Sequence, residues 1–324
     1  MFRVFDLLNG AKVSAAYVDD ALKHGVVGIH VTVNNFSRIN PRPTLVDSLR
    51  ELAAIRAHYR TLDETTVIVE RFDDFAAAQK SGKLAIVLGY QNVPGIDRDL
   101  AFLELFHGLG VRVIQVAHNF RNIYADGCNE PADAGVSTLG KELIAELNRL
   151  SIVIDLSHVG NRSGVEICEI SKHPVAVTHA NAFSVHPNVR NKRDDLLDAL
   201  KVNGGVAGIT YLPPLVADGA PEHQHVLNHV QYITERIGIA HVGIGSDFII
   251  DQPAERYAEF MRSPEVYGVW PWRFPVKDNA DQQTLLASMR PLGFGDADIE
   301  AVACNNFMRL FRQVFNNEGD IHGR

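Results

Sequence analysis

The sequence predicts an α/β fold of the (β/α)8 type, the TIM barrel, and two observations support this prediction. Eight short runs of β-branched and aliphatic residues recur along the chain, as expected for parallel strands that are buried on both faces. Stretches with the period of an amphipathic helix separate these runs. Barrels of this type commonly use about 250 residues or more as one unit. We therefore expect the 324 residues to form a single domain over 1–324.

The predicted strands begin near the amino terminus and continue into the last third of the chain. A doubly wound open sheet is the alternative for alternating strands and helices, but the number of strands favours the closed barrel. The predicted strands are 3–7, 26–33, 84–88, 111–117, 152–156, 174–178, 206–210 and 242–245.

Leucine-rich stripes between the strands predict helices. One stripe consists of Leu45, Leu49, Leu52 and Ile55, and another of Leu139, Leu143, Leu147 and Leu150 behind a cap at Ser137 or Thr138. The last strand is followed by a polar and aromatic insertion over 250–278, which includes Trp270 and Trp272. Two C-terminal helices come next, and Asp296 is the predicted cap of the second.

Composition and charge narrow the class of function. The net charge of −8 and the absence of a long basic cluster argue against nucleic-acid binding, so we expect a small-molecule substrate. Apolar runs are too short to span a membrane, and the first residues do not resemble a secretory signal, so we expect a cytoplasmic protein. Three widely separated cysteines argue against a disulfide framework or a cysteine-based zinc site.

Polar residues follow most of the predicted strands, where barrel enzymes carry their catalytic groups. These residues are Gln91 after the third strand, His118 after the fourth, His158 after the fifth, His179 after the sixth, Tyr211 after the seventh and Asp247 after the eighth. A single such histidine is usually structural, but three on consecutive strands together with an aspartate predict a metal-binding or formerly metal-binding rim. Neutral imidazole and carboxylate are ligands that zinc takes in hydrolytic sites. His30 lies inside the second strand, where it either lines the barrel or is a satisfied core residue.

Several longer stretches resemble the renal (membrane) dipeptidase family of zinc metallopeptidases, within the amidohydrolase-like barrels. The similar stretches are GVSTLGKEL at 135–143, IDLSH at 154–158, VTH at 177–179, HPNVRN at 186–191, GIGSDF at 243–248 and NFMR at 306–309. The resemblance implies that His158 and His179 bind one zinc ion and that Asp247 corresponds to a ligand of a second. It also implies that His118 polarises the scissile carbonyl, that Arg190 holds the substrate carboxylate, and that the chain pairs as a homodimer.

The sequence departs from the family pattern at two places. The family's first strand ends in Asp-Gly-His-Asn-Asp, which supplies two metal ligands, whereas this chain has DLLNG at 6–10. The glutamate that bridges the two metals in the family is Gln91 here. Because a neutral amide compensates the repulsion of two dications less well than a carboxylate does, we expect the first metal site to be empty. His158, His179 and the Gln91 carbonyl would then hold one zinc ion weakly, and the alternative is that no metal binds.

The leading hypothesis is a zinc-dependent hydrolase that cleaves an amide bond in a small substrate with a free carboxylate, such as a dipeptide or an N-acyl amino acid. Asp247 would deprotonate the attacking water, His118 would stabilise the oxyanion, and Arg190 and Tyr211 would bind the substrate. Structural alternatives remain: Asp247 as a loop cap, and Arg190 paired with Asp194 or Asp195. The competing functions are a catalytically silent barrel that binds an amino-acid-like ligand, and metal-free acid–base chemistry by Asp247 and His118.

Overall fold

A computed structural model of the protein describes residues 1–33, 43–252, 264–269 and 271–315. Within these residues, parallel strands of one sheet alternate with helices along the chain. The strands are β1 (Val4–Asp6), β2 (Val26–Thr32), β3 (Thr66–Ile68), β4 (Leu84–Tyr90), β5 (Val111–Gln115), β6 (Val153–Asp155), β7 (Ala176–Val177), β8 (Val206–Ile209) and β9 (Val242–Ile244).

Eight of these strands form the barrel wall in the order β1, β2, β4, β5, β6, β7, β8, β9. The first and last strands meet, because the Leu7 amide donates to the Ile244 carbonyl at 2.9 Å and Asn9 bridges Phe248 in parallel. This closure confirms the predicted TIM barrel and excludes the open-sheet alternative.

The strand β3 is absent from the sequence-based prediction. It pairs with Leu84–Ile86 of β4, while β5 pairs with the same strand farther along, at 88–90. Since β2 occupies the other edge of β4, β3 and β5 share one edge end to end. The run is only three residues long and half-buried, so it lacks the continuous apolar pattern that marks the wall strands.

The Asp6 carboxylate connects the first and last wall strands where the barrel closes. One oxygen accepts the Ser246 amide at 2.7 Å, and the other accepts the Ser246 hydroxyl and the Asn9 side-chain amide. Burial raises the pKa of Asp6 to about 7, and these hydrogen bonds oppose that rise. Asp6 therefore accepts hydrogen bonds from several donors that barrel closure has removed from water.

Replacing Asp6 with alanine should lower the free energy of unfolding by about 3 kcal/mol, because several buried donors lose their acceptor at once. Tyr17→Phe is the matched control, since it removes one hydroxyl that accepts from Asn9 and should cost about 1 kcal/mol. Urea unfolding of the three proteins measures both values. Equal costs for the two variants would show that Asp6 is not the main connection at the barrel seam.

Helices surround the barrel, either outside its wall or at an end. They are α1 (Ala15–Lys23), α2 (Leu45–Arg60), α3 (Asp73–Lys80), α4 (Phe102–Gly108), α5 (Thr138–Arg149), α6 (Asn161–Ile170), α7 (Asp194–Asn203), α8 (Pro213–Val216), α9 (His223–Ile237), α10 (Pro264–Tyr267), α11 (Asn279–Ala287), α12 (Asp296–Glu300) and α13 (Asn306–Phe315). None of the helices in the described ranges is long and apolar enough to cross a membrane.

The helix starts only partly follow the predicted caps. Ser137 caps α5, and its hydroxyl accepts the Gly140 amide at 3.0 Å, as predicted. The predicted cap at Asp296 is wrong, because Gly295 precedes the helix and Asp296 is already its first residue. In the insertion over 250–278, Trp270 lies outside the described residues, whereas Trp272 packs near Tyr267 of α10.

The C-terminal helix α13 closes the amino-terminal end of the barrel. Phe307 and Phe311 join the same apolar cluster as the barrel-facing side chains Phe5, Val113 and Val153. The Phe5 and Phe311 rings meet edge to face with centroids 5.3 Å apart. With this end filled by aromatic rings, the open end of the barrel is the carboxyl end of the strands, where the polar residues lie.

Candidate functional site

The three predicted rim histidines lie together at the carboxyl ends of β5, β6 and β7. The His118 ring stacks on the His158 ring with a centroid distance of 4.0 Å and an angle of 22°. On the other side, the Nε2 atoms of His158 and His179 are 2.9 Å apart. The three histidines therefore converge as expected from the strand ends.

Hydrogen bonding fixes the tautomer of His158. Its Nδ1 lies 2.7 Å from Oδ1 of Asn119, while the Asn119 amide group donates to the Tyr267 hydroxyl. Because a carboxamide oxygen only accepts, the ring proton lies on Nδ1 and Nε2 carries a lone pair. This is the arrangement in which a metal-binding histidine is usually held.

A chain of hydroxyl groups fixes His179 in the same sense. The Ser157 hydroxyl donates to the Asp155 carboxylate at 2.6 Å, so the 2.9 Å contact between Ser157 and Thr178 must use the Thr178 proton. The 2.7 Å contact from Thr178 Oγ1 to His179 Nδ1 is then donated by the ring. His179 therefore also presents a lone pair at Nε2.

Two imidazole lone pairs thus face each other inside the rim. Burial, and then the nearby Arg190 charge, lower the pKa of both His158 and His179, so both rings are neutral near pH 7. Paired nitrogen lone pairs with fixed outer hydrogen bonds suit a zinc-class ion, so the donor set present fits one metal. Among the residues that the structure describes, no group of three or more His, Cys, Asp or Glu side chains is placed to bind a metal.

The Arg190 guanidinium is buried next to this pair, with 1% of the residue exposed. It donates from Nη2 to His158 Nε2 at 2.9 Å and from Nη1 to the Ser157 carbonyl. Its Nε has no hydrogen-bond partner among the described residues. A buried cation of this kind needs a negative partner, and within the described ranges no carboxylate forms an ion pair with it.

The structure excludes the two acidic partners considered for Arg190 from the sequence. Asp194 pairs with Arg236 at 3.2 Å and accepts from Tyr232. Asp195 accepts from the Asn161 side chain at 2.7 Å. Neither aspartate is therefore the partner of Arg190.

Asp247 follows β9 and lies beside the seam where the last wall strand meets the first. Its amide donates to the Leu8 carbonyl at 2.9 Å, and a Cβ built on Gly10 would lie 3.7 Å from its Oδ1. Leu8 and Gly10, the positions at which the family resemblance implies missing ligands, therefore lie beside Asp247, and the empty first metal site stays a prediction. Asp247 and Asn119 both adopt a left-handed backbone, with φ of 54° and 60°, a conformation that non-glycine residues hold mainly where the fold requires it.

The remaining predicted site residues are buried. The Gln91 backbone carbonyl accepts from the Gln115 side chain at 2.9 Å, and the residue is 7% exposed. The Tyr211 hydroxyl accepts from Gln282 at 3.1 Å, and its ring packs 5.6 Å from that of Phe248. Metal binding by Gln91 and substrate binding by Tyr211 stay predictions.

The sequence prediction assigned no role to three residues near the rim. Asn119 orients His158, Tyr267 reaches Asn119 from α10 of the insertion, and Lys192 is buried two residues after Arg190. Asn119 directly follows His118 and is the second polar residue at that strand end, but the sequence indicated no role for it. Tyr267 carried no such signal, because its position depends on how the insertion folds over the barrel.

Lys192 should make stability depend on pH in a defined window. Burial is the main cause that lowers the pKa of its ammonium group from 10.5 to about 7. Between these values the unfolded chain holds a proton that the folded chain releases, so the free energy of unfolding rises with pH. Relative to Lys192→Met, the wild type should gain about 2 kcal/mol from pH 7 to pH 9 in urea unfolding. Parallel pH curves for the two proteins would contradict this.

Comparison with known proteins places the chain in a family. A model of the membrane dipeptidase family, peptidase family M19, matches residues 1–266. The dipeptidase tcpJ of Claviceps purpurea is 29% identical over 286 residues, which are 87% of this chain and 63% of the relative. The chain thus spans less than two thirds of that relative.

Solved structures agree with the fold. An amidohydrolase from Pseudomonas aeruginosa superposes with a TM-score of 0.86 at 25% identity, covering 98% of this chain and 97% of the other. The probable dipeptidase PvdM from the same organism gives a TM-score of 0.81 at 20% identity, covering 97% and 96%. Because the family model matches residues 1–266, most of the length of this chain, the chain belongs to the membrane dipeptidase family, peptidase family M19.

Proposed function

We propose that this protein hydrolyses an amide bond in a small substrate that carries a free carboxylate, such as a dipeptide or an N-acyl amino acid, with a single zinc ion. The observation that carries the proposal is the buried Arg190 guanidinium, which contacts His158 and has no acidic partner among the described residues. A substrate carboxylate would supply the missing negative charge. It would also place the adjoining amide bond beside the paired imidazoles.

His158 and His179 are the residues that would hold the zinc ion, with the Gln91 side-chain carbonyl as a third ligand. When bound, zinc supplies a Lewis acid that activates water at neutral pH. The hydroxyl chain to Asp155 and the Asn119 carboxamide keep both rings in the required tautomer. Arg190 donates to the His158 lone pair that zinc would need. A substrate carboxylate would draw the guanidinium away from His158, so carboxylate binding and zinc binding should favour each other.

Two further residues would act on the reacting atoms. Asp247 is only partly buried, and as a carboxylate at the rim it would take the proton of the attacking water. His118 is also only partly buried, stacks on His158 and would donate to the oxyanion that forms at the amide carbonyl. Arg190 would hold the substrate so that these groups address the same bond.

The test measures metal content and hydrolysis together. We expect the purified protein to cleave members of a panel of dipeptides and N-acyl amino acids, to lose this activity with a chelator, and to regain it with zinc. His158→Ala should abolish both activity and the chelator-sensitive zinc. His24→Ala, at a surface histidine that pairs with Asp20, is the matched control and should retain both.

A catalytically silent barrel is the second candidate. One observation favours it: Leu8 and Gly10 stand where the family has metal ligands, and Leu8 is almost fully buried. Such a protein would bind amino-acid-like carboxylates through Arg190 without turnover. Calorimetry that detects binding of an amino-acid-like carboxylate, together with no hydrolysis in the presence of zinc, would support the silent barrel and contradict the enzyme.

A further inference from the structure

A second group of polar side chains lies inside the barrel, below the rim. It consists of His30 on β2, Gln115 on β5 and Asp155 on β6, each at most 1% exposed. Gln115 and Asp155 are two residues beyond Val113 and Val153, which pack in the apolar cluster inside the barrel. Because side chains alternate along a strand, Gln115 and Asp155 face the same interior. The proposed rim mechanism does not use His30 or Gln115. It uses Asp155 only as the start of the hydroxyl chain that orients His179.

Each of these side chains has one atom with a partner and one without. His30 Nδ1 lies 2.7 Å from the Leu7 carbonyl, and the Gln115 amide group donates to the carbonyls of Gln91 and Ala117 at 2.9 and 3.0 Å. Asp155 Oδ1 accepts from Ser157 and Thr178. The remaining atoms, His30 Nε2, Gln115 Oε1 and Asp155 Oδ2, have no hydrogen-bond partner among the described residues.

All three unpartnered atoms are acceptors. The Leu7 carbonyl only accepts, so the proton of His30 lies on Nδ1 and its Nε2 carries a lone pair. The two carbonyls that receive the Gln115 amide fix its oxygen as the unpartnered atom. Protonation of His30 does not resolve the shortage of donors, because burial lowers the pKa of this imidazole.

Strand pairing places these acceptors on neighbouring strands of the barrel interior. A Cβ built on Gly89 would lie 2.2 Å from His30 Nε2, so the imidazole passes through the space that a side chain at position 89 would fill. Gly89 pairs with Val113 of β5, two residues before Gln115, and Gln115 pairs directly with Asp155. Paired residues on neighbouring strands lie about 5 Å apart. His30 and Asp155 do not form a direct ion pair in the described part of the chain, yet the Asp155 charge acts on His30.

We propose that these three acceptors form a second metal site, in which His30 Nε2, Asp155 Oδ2 and Gln115 Oε1 bind one divalent ion of the zinc class. Imidazole nitrogen with carboxylate and amide oxygen is a ligand set for such ions, and the ion compensates a carboxylate buried inside the barrel. One water molecule has two protons and would leave one of the three acceptors without a donor.

The interior ion would act on the rim through Asp155. The other oxygen of this carboxylate begins the hydroxyl chain through Ser157 and Thr178 to His179. An ion on Oδ2 keeps Asp155 charged and fixed, so the chain continues to hold the proton of His179 on Nδ1. The interior site is thus a positioning element for the rim, separate from the residues that contact substrate.

Metal analysis of a rim variant tests the proposal. In full-length protein with His158→Ala and His179→Ala, purified with zinc and desalted, mass spectrometry of the metal should find about one equivalent per chain. Adding His30→Gln should reduce this at least about fivefold. Adding His229→Gln is the control, because His229 is equally buried but has both ring nitrogens bonded, and the zinc should remain. Zinc retained in the His30→Gln protein would overturn the proposal.

Diffraction from wild-type crystals gives a readout that needs no variant. Data collected on both sides of the zinc absorption edge should show an anomalous peak bounded by His30 Nε2, Asp155 Oδ2 and Gln115 Oε1. Ordered density there without anomalous signal would show water only and would overturn the proposal. Both tests are independent of turnover, so a silent rim leaves the interior site testable.

Discussion

Replacing Arg190 with methionine should lower kcat/KM for carboxylate-bearing substrates roughly 100-fold or more, because losing a buried, hydrogen-bonded charge partner costs about 3 kcal/mol. The methionine keeps much of the apolar stem but cannot hold a carboxylate. The same change frees the His158 lone pair that Arg190 now contacts at 2.9 Å. The ligand-free variant should therefore bind zinc at least as tightly as the wild type, so the two effects have opposite directions.

The matched control is Arg193→Met. Arg193 is exposed and lies over the Phe183 ring at 4.0 Å, so its loss removes the same group three residues away. Steady-state kinetics with free acids and their methyl esters separates anchoring from structural damage. If Arg190→Met slows the acids and esters equally, the guanidinium does not bind the substrate carboxylate.

Replacing Asp247 with asparagine should lower kcat by about 10²–10⁴-fold with little change in KM, as expected for a general base. Asparagine tolerates the left-handed backbone that Asp247 adopts, so the local fold should persist. Because Asp247 is proposed as a base and not as a zinc ligand, the metal content should not change. Asp251→Asn, at an exposed position with a similar φ of 56°, is the control and should keep full activity.

The metal content of Asp247→Asn distinguishes the roles that this residue can have. Loss of the rim zinc together with activity would identify Asp247 as a ligand, against a rim zinc held without Asp247. Retained zinc with retained activity would leave the carboxylate as a loop residue, the structural alternative considered from the sequence.

The barrel wall could be predicted because its strands are buried on both faces and therefore form continuous apolar runs. The rim histidines followed from the same pattern, since each occurs directly after such a run and parallel strands share one end. The strand β3 was not predicted because it is short and half-buried. Its pairing with the first half of β4 depends on spatial neighbours and not on its own residues.

Residues whose roles depend on partners could not be resolved in the same way. The sequence left Arg190 a choice between nearby aspartates and a ligand, and only the positions of Arg236 and Asn161 removed the aspartates. His30 was expected to be a satisfied core residue or to line the barrel. The structure places one of its nitrogens on a carbonyl and leaves the other without a partner among the described residues, which periodicity alone could not reveal.

The contact between Asp6 and Ser246 joins residues 240 positions apart, and the helix that fills the other end of the barrel comes later still. During synthesis, the first strand must therefore keep one edge unpaired until the residues around Ser246 have left the ribosome. Contacts of such long sequence separation slow folding and prolong the exposure of strand edges that can aggregate. A nascent chain of this protein should accordingly depend on chaperones more than a helical protein of equal length.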